Sequence, residues 1–205
     1  MTRIVDRGAI IGAYVGMGMA VTIALSFLLV IPIEPIYWLL AVPAGLLIGY
    51  YANQRSDRRS GPWSRIIANA AFAGLVTALT MAAFLLVVKA LFFFGDSGYP
   101  DFNRVDAQTH QPVPPSCASG AGCVYARYLA IGDGPAFAAA GITDVASFTS
   151  FYWGQQASSS GTVLVMTLLG GLGGGVLYGT FRPKASQTTS STVPGQRATG
   201  PTGPR

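Results

Sequence analysis

The chain has 205 residues, of which 51% are hydrophobic and only 10% charged, where a typical soluble domain carries about a quarter charged residues. A mean hydropathy of +0.46 excludes an ordinary soluble domain and a disordered chain. The net charge of +5 comes from few charges, so their placement matters more than their sum, and nucleic acid is not an expected partner.

A helix crossing the hydrocarbon core needs about 20 largely apolar residues. Four stretches meet that need, at about 8–33, 36–52, 66–94 and 162–182. The first has a basic N-terminal flank but is too long for the apolar core of a signal peptide. It also lacks an A-x-A site before Pro32, so it reads as a retained anchor. The second is short and carries Pro43, and the third carries one charge, Lys89. The fold expected is all-α: an integral membrane four-helix bundle, with residues 1–94 supplying the first three spans.

The charges orient it. The N-terminus, the 53–65 loop and the C-terminal tail hold ten of the thirteen basic residues and only Asp6 and Asp57 among the acids. The excess of Lys and Arg on short cytoplasmic segments places both termini in the cytoplasm, with the plasma membrane as the expected location. Residues 95–161 become a long extracytoplasmic loop, and the Ser/Thr/Pro/Gly-rich residues 183–205 a disordered cytoplasmic tail. Cys117 and Cys123 lie in the loop, separated by small residues, and outside the cytoplasm such a pair forms a disulfide. The moderately apolar stretch 134–153 reads as a short surface helix rather than a fifth span, because Asp144 at its centre would be costly in lipid. Thr143 or Asp144 can also cap a second short helix.

Spans one and three share an Ile-Ile start after an arginine, a glycine at Gly18 and Gly74, and a Phe-Leu-Leu-Val end. Spans two and four share a G-x-x-x-G. This is a weak internal repeat, consistent with two helical hairpins of one orientation. In lipid, small residues let helices approach closely, so Gly12, Gly16, Gly45, Gly49, Gly171, Gly175 and Gly179 are expected at helix contacts, within the chain or with a partner. Lys89 lies about a turn from the outer end and can snorkel or pair with Glu34. Asn69 should hydrogen-bond across helices. Arg55, Arg58 and Arg59 fix topology and can meet anionic lipid headgroups.

No His, Asp or Glu falls within an expected span, which argues against histidine-held cofactors and carboxylate proton relays there. There is no nucleotide-binding loop, and the single His110 cannot build a Ser-His-Asp set. No catalytic residue, metal site or cofactor is therefore expected. An enzyme would have to use Asp133, Asp144, His110 and Arg127 of the outer loop. The reading that remains is a non-catalytic accessory or assembly subunit. Its partners would be membrane lipids and either other membrane-protein subunits or further copies of itself. The alternative is a small oligomeric transporter or channel with a glycine-lined passage and Lys89 near its mouth.

Overall fold

The computed structural model describes residues 5–30, 35–57, 61–96, 99–100, 108–109, 111, 117 and 119–181, without the side chains of 27–30 and 35–38. The described residues form six helices and no strand: α1 (Arg7–Val30), α2 (Pro35–Gln54), α3 (Trp63–Gly95), α4 (Ala121–Ala130), α5 (Gly134–Ala139) and α6 (Val145–Phe181). Three segments are long and apolar enough to cross a membrane: Arg7–Ser26, Trp63–Gly95 and Val145–Phe181. Their outward faces are greasy, with Tyr14, Val87, Leu91 and Leu169 more than half exposed, and α2 adds Leu47. A water-soluble monomer does not carry apolar surface on this scale.

The long helices meet through small residues. The α2–α6 pair runs parallel, with Val42 against Gly170, Leu46 against Gly174, and the Tyr50 and Tyr178 rings 5.5 Å apart. The steps of four on both helices place one row of each in contact. Antiparallel to α6, α3 brings Gly74 onto Gly171 and Ala70 onto Gly175. Beside them α1 fits against α2 and α3, with Gly12 on Ala52 and Gly16 on Thr77. The shared core is correspondingly light: Ala20, Ala24, Ala41, Ala44, Met81, Leu85 and Val163.

The fourth apolar stretch departs from expectation. The helix carrying it does not begin near 162 but at Val145, so the expected 134–153 surface helix is divided: 134–139 form α5 and 145–153 open α6. Asp144 is its cap, as one sequence reading allowed, but the helix it opens has 37 residues. The Ser147 N–H donates to Asp144 Oδ1 at 2.7 Å, while Ser147 Oγ accepts from the Thr143 and Asp144 N–H groups at 3.2 Å. This reciprocal capping meets the Ser147 donor of the first turn and the two N–H groups just ahead of it. The run Gly154 to Thr162 contains helix-weakening Ser and Gly, yet it stays helical. The burial of Tyr152, Gln156, Ser160 and Val163 on one face outweighs local propensity, as tertiary contacts commonly do.

At 1.5 Å per residue, α3 and α6 are roughly 50 and 55 Å long, against about 30 Å of hydrocarbon. The end of α3 and the start of α6 lie together, as the Phe93–Tyr152 contact shows, and carry a small cap. α4 and α5 each close with a glycine at positive φ, Gly132 (+106°) and Gly141 (+74°). The following Asp133 and Ile142 N–H groups bond back to the Tyr128 and Phe137 carbonyls at 3.1 and 2.9 Å. These are left-handed helix stops that glycine makes without a Cβ penalty, and they fold the cap back onto α6.

Candidate functional site

The cap is the most elaborate part of the chain. Its core is aromatic: Phe93 from α3, Tyr125 and Tyr128 from α4, Phe137 from α5, and Phe148 and Tyr152 from α6. Phe148, 1% exposed, has five ring neighbours: Phe93, Tyr125, Tyr128, Phe137 and Tyr152, with centroids 5.1 to 6.4 Å away. These offset and tilted geometries are the ones that ring quadrupoles favour. The phenol of Tyr99 stands between those of Tyr128 and Tyr152, with oxygens 3.1 Å apart in each case. Each hydroxyl can both donate and accept, so Tyr99 can link the other two by hydrogen bonds.

Beneath the rings lies Arg127, 4% exposed. Its Nη1 donates to the carbonyls of Tyr99 at 2.9 Å and Asp96 at 3.4 Å, and its Nη2 to the Cys117 carbonyl at 2.8 Å. The guanidinium fork can serve three acceptors from fixed directions. It thereby ties the end of α3, the Tyr99 turn and the Cys117 loop to α4. Its Nε is buried with no hydrogen-bond partner among the described residues. One turn earlier, Cys123 forms a disulfide with Cys117, the Cα atoms 5.7 Å apart.

At the opposite end sits a polar clamp. The Asp6 Oδ1 accepts from the Gly8 and Ala9 N–H groups at 2.9 and 3.3 Å, capping α1. Its Oδ2 accepts from the Ser56 hydroxyl and, at 3.0 Å, from Asn69 Nδ2. The Asp6 N–H donates in return to Asn69 Oδ1 at 3.3 Å. Next to it, Asn53 Nδ2 donates to the Gly49 and Ile66 carbonyls. Burial pushes the Asp6 pKa up, but the bonds from Ser56, Asn69, Ala9 and Gly8 outweigh that and hold it below the ordinary value. The carboxylate thus locks the N-terminus to the α2–α3 turn and to α3.

The seven glycines singled out from the sequence all lie at contacts inside the chain. A Cβ on Gly12 would stand 2.8 Å from the Ala52 Cβ, and one on Gly16 would strike the Thr77 hydroxyl. At Gly45 and Gly49 it would strike the Thr167 and Gly171 carbonyl oxygens. On Gly171 it would come within 2.9 Å of the Gly74 Cα, on Gly175 within 2.6 Å of the Ala70 Cβ, and on Gly179 against the Trp63 ring. Gly8, Gly74, Gly170 and Gly174 belong to the same seams. The positions paired as a repeat differ, since Gly74 is covered by Gly171 while Gly18 meets nothing within 4 Å.

Lys89 is half-buried on α3, and its expected partner Glu34 lies outside the described residues, as do Arg58, Arg59 and His110. Arg55 is exposed; its Nε donates to the Tyr51 hydroxyl at 3.1 Å, and its guanidinium carbon lies 5.3 Å from that ring's centroid. Asp144 is spent on capping: the Ser147 N–H, then the Ser147 hydroxyl, hold its pKa down against slight desolvation. Among the described residues, no three or more His, Cys, Asp or Glu come together to hold a metal ion. Arg127 and the Asp6 clamp are what sequence reasoning missed. Asp6, immediately before an apolar run, carried a recognisable N-cap signal; nothing local marked Arg127 as buried. No protein family, curated protein or solved structure matches the chain.

Proposed function

We propose that this is a four-span membrane protein, crossing with α1, α2, α3 and the lower part of α6. In this reading both termini are cytoplasmic and the cap is external. Its role is that of a non-catalytic accessory or assembly subunit that packs against a partner helix.

One mismatch carries the proposal. Phe93 lies beside Tyr152 and Trp153, and Met81 beside Thr167. Residues 81–93 of α3 are therefore level with 153–167 of α6. At that height α3 turns Phe84, Val87 and Leu91 outward, as a lipid-facing helix should. At the same height α6 exposes Gly154, Gln155, Ser158 and Gly161, and a Cβ on Gly154 or Gly161 would meet nothing within 4 Å. An amide and a hydroxyl among open glycines suit a helix interface, where small residues permit approach and polar groups hydrogen-bond across. The seven glycines expected at contacts are used inside the chain, which leaves this stretch of α6 as the docking face.

The test is extraction from native membranes in mild detergent, with native electrophoresis and mass spectrometry of whatever migrates with the chain. A larger complex is expected, lost on Ser158→Leu with Gly161→Leu and kept on Val87→Leu. Migration of the wild-type chain alone would remove the basis of the proposal. Orientation is tested separately by an impermeant maleimide on intact cells, in a background free of native cysteines. Thr2→Cys and Thr199→Cys should be protected and Gln111→Cys labelled.

A further inference from the structure

The end of the molecule bearing the Asp6 clamp also gathers arginines. A Cβ on Gly8 would stand 2.6 Å from the Arg55 carbonyl carbon, so the first turn of α1 and the turn after α2 touch backbone to backbone. Arg7 and Arg55, both exposed, thus rise from adjoining main chain. The clamp fixes this spacing, because Asp6 and Ser56, bonded to each other, are the chain neighbours of those two arginines.

Arg55 is further restrained. Its bond to the Tyr51 hydroxyl uses the Nε hydrogen and holds the guanidinium against the ring. With Nε so used, the two terminal amino groups of the fork can grip a phosphate end-on through paired hydrogen bonds. At the same end of the helices stand Tyr50, 38% exposed, beside Tyr178, and Trp63, 45% exposed, against Gly179. Half-exposed Trp and Tyr on apolar helices settle at the headgroup level of a bilayer. The sequence at this end, residues 1–7 and 53–65, carries six arginines against Asp6 and Asp57.

We propose that Arg7 and Arg55 form a binding site for the phosphate of an anionic phospholipid headgroup in the leaflet facing the termini. Charge complementarity at headgroup depth selects this occupant: two cations on touching backbones, one of them pre-oriented, at the end of the helices that bears Tyr50 and Trp63. It stands independently of the partner-docking reading. A free phosphate shares the chemistry, but the aromatic belt and the adjoining greasy helix faces select the lipid.

The experiment uses the full chain in an uncharged detergent. Bound lipid is counted by native mass spectrometry during titration with phosphatidylglycerol, phosphatidylcholine or glycerol phosphate. Phosphatidylglycerol should bind most tightly and weaken as salt shortens the screening length from about 10 Å at 0.1 M to about 3 Å at 1 M. Arg7→Gln or Arg55→Gln should each weaken it about five-fold, and the double variant about thirty-fold. Equal binding of phosphatidylcholine, salt-independent binding, or undiminished binding by the double variant would overturn the proposal. So would glycerol phosphate matching the lipid, which would make this a site for free phosphate. If the double variant fails to fold, headgroup selectivity and salt dependence of the wild type decide.

Discussion

Gly173 and Gly174 are adjacent on α6, and alanine at the two positions should behave oppositely. A Cβ at 174 would strike the Leu46 carbonyl oxygen, with the Leu46 carbonyl carbon 2.9 Å and the Tyr50 amide nitrogen 2.7 Å away. Carbon contacts settle at about 3.5–4.0 Å, so the α2–α6 seam would have to open by roughly 1 Å. A gap of about 0.5–1 Å forfeits a quarter to a half of the dispersion attraction at each contact, and overpacking a rigid interior costs about 1–3 kcal/mol. A Cβ at 173 meets nothing within 4 Å. Both variants gain the same helix propensity, up to about 1 kcal/mol, so their difference isolates the seam. Gly174→Ala should be less stable than Gly173→Ala by about 1–3 kcal/mol, and Gly173→Ala should equal or exceed the wild type. Reversible unfolding in mixed micelles of rising SDS fraction, followed by tryptophan fluorescence, measures both. Coincident unfolding curves would refute backbone contact as the basis of the seam.

Asp6→Ala removes the carboxylate that accepts from both Ser56 and Asn69 and should cost about 1–3 kcal/mol in the same assay. Because the folded pKa of Asp6 lies below the unfolded value, its stabilisation is complete above about pH 4 and is lost as pH falls through the folded value. The wild type should therefore weaken on acidification in a way that Asp6→Asn does not. Arg127→Met removes a donor from three carbonyls and should destabilise the cap by about 1–3 kcal/mol. Hydrogen exchange should then quicken in α4 while α2 and the lower part of α6 stay protected; unchanged exchange in α4 would contradict the pinning role. Phe148→Ala removes the ring at the centre of the cap and should cost about 3–5 kcal/mol, read as lost near-ultraviolet dichroism with helical content retained.

The apolar stretches and the disulfide pair were legible because each depends on short-range properties. Length and hydropathy mark a segment that cannot rest in water, and two cysteines six residues apart close a ring from local chain alone. The G-x-x-x-G motifs were legible as contacts for the same reason: i and i+4 share a helix face whatever the surroundings. Which neighbour each glycine meets was not. Gly45 of α2 faces α6 and Gly175 of α6 faces α3, although each opens a G-x-x-x-G, because the facing partner is set by how the long helices are arranged together.

By itself the sequence determined that this is an all-helical chain with membrane-length apolar helices and small-residue contact faces. Tertiary structure decided the rest. Gly154, Ser158 and Gly161 read as a break between a surface helix and a span, yet α6 runs through them, because the face carrying Tyr152, Gln156, Ser160 and Val163 is buried and main-chain hydrogen bonds persist where side chains are poor helix formers. Arg127 read as an ordinary loop charge, yet it is the buried pin of the cap, because carbonyls from Asp96, Tyr99 and Cys117, up to 31 residues away, converge where its fork can reach them. Convergence of distant backbone acceptors leaves no local pattern in a sequence; it exists only once the chain is folded.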